Sequence, residues 1–161
     1  MSDTTDPETA AMDLLLDEEL EVSRVYHMLA EADVREILQC DYVCVGTDGL
    51  LTGKPHPRTY GTYPRILGHY VREENLLSLE AAVGRMTSLP ARAMGLHRKG
   101  LVRPGMDADL VVFDPERVGT GATYEEPRQF PDGLPHVLVG GTFVVRDGEV
   151  TGETPGTVIR K

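Results

Sequence analysis

YVCVGTDGL, residues 42–50, runs four strand-favouring residues, Tyr42 to Val45, into Gly46, Thr47, the acid Asp48 and a second glycine, Gly49. In a parallel α/β architecture, functional side chains gather just beyond the carboxyl ends of strands. A carboxylate there can ligate a metal or accept a proton from an attacking water, and the flanking glycines permit close approach. The same Asp48-Gly49 pair also reads as a plain turn. The surrounding elements bear on the choice.

Upstream, Asp6-Pro7-Glu8 carries the marks of a helix start: a capping acid, proline in the first turn and a carboxylate beside the helix N-terminus. Ala10, Ala11, Leu14 and Leu15 give that helix an apolar stripe. EVSRVYHML (21–29) alternates and predicts a strand, and AEADVREIL (30–38) predicts a helix through Val34, Ile37 and Leu38. With 42–45 as the next strand, the order helix, strand, helix, strand is the grammar of a parallel sheet or barrel.

Downstream, the prolines and glycines of 53–61 predict a long ordered loop. Pro64 begins a helix carrying Ile66, Leu67, Tyr70 and Val71. Ser78 caps a stronger one, and SLPARAMGL (88–96) gives a short one, with Ser88 as cap and Gly95 as its stop. After Arg98 the pattern changes. DADLVVFD (107–114) is a short strand, HVLVGGTFVV (136–145) is a hairpin around Gly140-Gly141, Asp147-Gly148 offers a further turn, and 115–135 is irregular. The expected division is an α/β portion over 1–98 and a small β module over 99–161.

The chain has 161 residues and a net charge of −10, from 26 acids against 16 Lys and Arg. No basic run exists to neutralise nucleic acid or to hold an anionic membrane surface, so neither partner is expected. Only three cations are lysines, and an acidic, arginine-weighted surface suits either high salt or an ordinary acidic cytosolic protein. The first ten residues lack the basic start and apolar run of a secretory signal. Cys40 and Cys44 fit no common zinc or redox spacing and read as free thiols in a reducing compartment; the expected location is cytoplasmic.

Beyond Asp48, the candidate residues lie in KPHPRTYG (54–61). Arg58 offers a planar fork for an anionic substrate group, and His56 offers a contact to substrate or to metal-bound water. A solvated pair is the competing reading. His27, at the end of the 21–29 segment, is placed as a ligand or as a rim histidine. His69, His97 and His136 read as structural or surface residues. Neither an HxH nor an HExxH pair is present, nor GxSxG, nor a P-loop, so the chain carries no complete metal site by motif.

VGTDGL, HPRTYGTYPRILGHYVRE, LSLEAAVGRMTSLPARAMGL, GLVRPGMDADLVVFDP and HVLVGGTFVVRDGEVTGETPG follow one another here in an order that resembles the C-terminal end of the amidohydrolase superfamily. The HPRTYG loop narrows the likeness to the N-acyl-D-amino-acid deacylase (D-aminoacylase) branch, and the likeness covers roughly residues 6–160. It implies the last β/α units of a (β/α)8 barrel, with 21–29 as the seventh strand and 42–45 as the eighth, followed by part of a β-sandwich. It implies zinc as the cofactor of the complete enzyme, with Asp48 as metal ligand and general base, and Arg58, with His56, as substrate-binding. The implied substrate is a small N-acyl-D-amino acid, or a different amidohydrolase substrate such as a cyclic amide. The upstream metal-binding histidines of the family are missing, so the resemblance implies a fragment that is inactive alone and docks with a complementary N-terminal half or forms a homo-oligomer. A non-catalytic remnant or partner-docking module is the alternative.

Overall fold

Asp6 caps α1 (Pro7–Asp17), accepting from the amides of Glu8 and Thr9. The structure is a computed structural model that describes residues 6–22, 28–51 and 53–160. α1 buries none of its residues, and Met12, Leu14, Leu15 and Leu16 are exposed. The strand expected at 21–29 falls largely outside the described residues, as does His27; its flanks at 21–22 and 28–29 have no regular structure.

α2 (Glu31–Gln39) forms where its period predicts and buries Leu38. Buried Arg85 closes its C-terminal end, donating to the carbonyls of Leu38 and Gln39. These are among the acceptors that a helix end leaves without intrahelical donors. The expected strand at 42–45 is corrected: among the described residues it joins no sheet, and 43–50 run without regular structure. Within this stretch a backbone bond from Val45 N–H to Arg85 O (3.1 Å) ties it to the helix Leu79–Met86. A strand-like sequence needs a neighbouring ladder, and none of the four observed strands lies beside it.

The loop expected over 53–61 is shorter than its prolines suggest, because α3 (Arg58–Arg65) begins at Arg58. Pro64 sits inside that helix rather than at its start. Its ring removes an amide donor and crowds the preceding turn. Two residues later the chain continues as a π-helical segment, Ile66–Glu73, which supplies buried Ile66, Leu67, Gly68 and Tyr70. Ser78 caps α4 (Leu79–Met86) as expected. α5 (Ser88–Ala93) follows, with Ser88 as its first helical residue and Thr87 in the cap position, and Gly95 turns the chain at φ +73°.

β1 (Leu110–Val112), β2 (His136–Val139), β3 (Thr142–Arg146) and β4 (Glu149–Val150) make an antiparallel sheet in sequence order. Gly140 and Gly141 both take positive φ (56° and 82°), the tight hairpin geometry that their sequence predicts. Asp109 receives the Gly140 amide and an ion pair from Lys99, pinning the β2–β3 turn to the preceding segment.

The core joins Leu38, Ile66, Leu67, Tyr70, Ala82 and Val118, with Phe113 and Leu134 packed against it. Val118 is 1% exposed. It reaches the π-helical segment because Gly68 has no side chain: a Cβ there would stand 2.7 Å from the Val118 carbonyl oxygen. Arg72 donates to that same carbonyl (2.5 Å) and to Pro115 O (3.3 Å). Among the described residues, no helix is long and apolar enough to cross a membrane.

Candidate functional site

Asp48 adopts a left-handed backbone, φ +45°, which Asp tolerates better than bulkier residues. This kink bends the chain after the 43–47 segment, and the Gly49 amide closes the bend on Thr47 Oγ1 (3.3 Å). A Cβ at Gly49 would stand 3.1 Å from Thr59 Cα, so glycine lets 48–50 lie against the first turn of α3.

Arg58 holds Asp48 twice. Its Nη2 donates to Asp48 Oδ2 at 2.8 Å and its Nε to the Asp48 carbonyl at 3.0 Å. Two candidates ten residues apart are thus brought into one ion pair. It is an open pair: the Asp48 side chain is 87% exposed and that of Arg58 42%. The carboxylate is bonded not to its own turn but across to the helix, with one face open to solvent.

His56 lies behind this pair. Its Nδ1 accepts the Arg58 amide at 3.0 Å, and its Nε2 faces the Tyr124 hydroxyl at 3.3 Å, with the two rings edge-to-face at 5.1 Å. Tyr124 belongs to the 115–135 stretch that composition marks only as irregular. That stretch touches the loop twice more: Arg128 donates to Gly53 O (2.8 Å), and the Phe130 ring meets Tyr60 at 6.4 Å. Sequence reasoning missed these residues because contacts 68 to 75 positions apart leave no periodic trace. The only signal was an aromatic residue among acids and prolines. A cleft of about 430 Å³ lies between Gly53–Pro55 and Glu125–Gln129; neither Asp48 nor Arg58 lines it.

Among the described residues, no group of three or more His, Cys, Asp or Glu side chains is gathered so as to hold a metal ion. Among the described residues Asp48 has no co-ligand, and a tight zinc site needs three or four protein ligands. The described residues therefore do not by themselves fit a zinc ion. His69 and His136 serve elsewhere: His69 lies between Glu73 (2.9 Å) and Glu74 (3.0 Å), and His136 bonds the Asp147 amide through Nδ1. Arg35 grips Glu74 with two bonds and thereby holds that carboxyl below its usual range. Cys40 and Cys44 are both free thiols.

The sequence profile of the amidohydrolase family matches residues 7–145. The D-aminoacylase of Alcaligenes xylosoxydans xylosoxydans is 43% identical over 138 residues, which are 85% of this chain and 28% of that protein. A crystal structure of a D-aminoacylase superposes with a TM-score of 0.81 at 43% identity, covering 91% of this chain and 32% of its own. The N-acyl-D-glutamate deacylase of Bordetella bronchiseptica, solved with zinc and a phosphonate mimic of the tetrahedral intermediate, gives a TM-score of 0.71 at 45% identity. It covers 76% of this chain and 27% of its own. The chain thus spans about 28% of the length of the curated relative it matches.

Proposed function

The chain belongs to the amidohydrolase family, and from that premise we propose that it supplies the C-terminal part of a metal-dependent hydrolase cleaving the amide C–N bond of N-acyl-D-amino acids. The observation that carries this reading is the Asp48–Arg58 pair, which joins a proton acceptor to an anion grip at the first turn of α3. Likeness to D-aminoacylase and N-acyl-D-glutamate deacylase supports the substrate class. Asp48 takes a proton from the attacking water and returns it to the leaving nitrogen. Arg58, freed from Asp48, presents its planar fork to the substrate carboxylate, with His56 beside it just before α3.

In the complete enzyme a zinc ion would supply Lewis-acid chemistry, with Asp48 as one of the residues that would hold it. Its ligands other than Asp48 come, in this reading, from polypeptide outside this chain. The fold follows the same logic. Residues 1–98 are the last units of a (β/α)8 barrel and 99–161 part of a β-sandwich. Val43, Val45 and Thr47 are half-buried while Cys44, Gly46 and Asp48 are exposed, the alternation of a strand whose neighbours are supplied by the partner. The free thiols suit a cytoplasmic location.

A second reading, a non-catalytic docking module or homo-oligomer, draws on one observation. Tyr42, Leu50 and Leu51 are 83%, 70% and 68% exposed, a surface that invites a cover whether or not chemistry follows.

The test is co-expression with the N-terminal portion of a related deacylase, followed by assay on N-acetyl-D-methionine with zinc. The assembled pair hydrolyses the substrate, and Asp48→Asn lowers kcat by roughly 10²–10⁴ without disrupting assembly, the usual range for loss of a general base. Full activity in the Asp48→Asn assembly refutes the catalytic reading, and assembly without any activity favours the docking module.

A further inference from the structure

We propose that residues 120–130 brace the substrate loop, and that Tyr124 is a positioning residue for Arg58, acting through His56. The inference rests on Arg58 being the substrate grip, but the contacts that carry it are independent of that role.

The ring nitrogens of His56 fix its orientation. Nδ1 accepts the Arg58 amide at 3.0 Å, so it carries no proton. In the neutral ring the proton then sits on Nε2, which donates to the Tyr124 hydroxyl oxygen at 3.3 Å. The edge-to-face packing at 5.1 Å holds the imidazole in the plane that both bonds require. The brace therefore ends on the backbone amide of the residue whose guanidinium pairs with Asp48.

The same segment grips the loop on both sides of Arg58. Arg128 holds the Gly53 carbonyl before it, and Phe130 packs on Tyr60 after it. At Gly61 the two chains approach so closely that a Cβ would lie 2.8 Å from Thr120 Oγ1. Three grips, on Gly53, His56 and Tyr60, set where Arg58 starts and hence where its planar fork can reach. His56 in this arrangement serves the site through Arg58, because each of its nitrogens already faces a partner within the chain.

NMR of the full chain tests this without reference to catalysis, so its failure is distinct from failure of the deacylase reading. The wild-type chain shows His56 as a single Nε2–H tautomer and a protected Arg58 amide. Tyr124→Phe keeps the ring but removes the hydroxyl, and the Arg58 amide then exchanges roughly three- to tenfold faster, the range expected for weakening one hydrogen bond. Tyr124→Ala exchanges faster still, while amides of α4 keep their rates in both variants. An Nδ1–H tautomer in the wild type overturns the proposal. So does an Arg58 amide indifferent to both substitutions, and so does a uniform acceleration across the chain, which marks Tyr124 as merely structural.

Discussion

Arg85→Met removes the guanidinium that closes the end of α2 while keeping an unbranched apolar stem of similar length. Arg85 is 6% exposed and donates to Leu38 O, to Gln39 O at 3.3 Å and to Asp41 Oδ1 at 3.2 Å. These partners are not equivalent. Gln39 and Asp41 are exposed, so water replaces the lost donor there and the cost is small. Leu38 is buried, and its carbonyl has no such recourse once the guanidinium is gone. One stranded buried acceptor costs about 1–3 kcal/mol, and a modest addition for the exposed bonds brings the expected loss to about 2–3 kcal/mol. For a chain of this size that corresponds to a drop in Tm of about 5–10 °C. The assay is thermal unfolding followed by far-ultraviolet circular dichroism, with the urea midpoint as a second measure. Arg85→Lys recovers only part of the loss, because one ammonium cannot span the three acceptors that a fork reaches. A Tm of Arg85→Met within about 2 °C of wild type would refute the reasoning, since a stranded buried carbonyl cannot be that cheap.

Gly68→Ala forces a Cβ against the Val118 carbonyl, and the backbones must separate at a cost of about 1–3 kcal/mol; an unchanged urea midpoint refutes the close approach. Gly141→Val destabilises by about 1–2 kcal/mol, because its φ of +82° disfavours any branched side chain. Gly140→Asn is tolerated, as asparagine suits that turn position; equal unfolding curves for the two hairpin variants would contradict the turn geometry. For acid sensitivity, Lys99 holds the carboxyls of both Asp107 and Asp109 below their usual range, the Gly140 amide adding to the effect on Asp109. A depressed folded pKa gives stability that is present above the unfolded value, about 4, and is lost as pH falls through the folded one. Asp109→Asn therefore flattens the acid limb of the stability curve below about pH 4, and an unaltered limb counts against the cluster.

Local signals in the sequence read through where local forces decide the structure. The Asp6 and Ser78 caps, the Gly95 stop and the two-glycine hairpin depend on neighbours within a few residues, and each stands where its chemistry places it. The strand at 42–45 failed because strand propensity needs another chain segment to bond, and the described residues provide none. Pro64 misled for the opposite reason. A proline tolerated inside a helix looks, from its neighbours alone, like one that begins it. At the site, the ten-residue step from Asp48 to Arg58 was legible as two candidates but not as an ion pair. The hold of Tyr124 on His56 was illegible, because it joins segments 68 positions apart.

The π-helical stretch Ile66–Glu73 acts as a gauge block. Its wide turns set the angle at which Arg72 meets the Val118 carbonyl and Gly68 faces the same oxygen. Deleting one residue between Gly68 and Arg72 would rotate everything downstream about the axis and swing Arg72 off the oxygen that Gly68 faces. Both the residues at 68 and 72 and the number of residues between them are therefore held to one register, so an insertion or deletion there undoes two contacts at once.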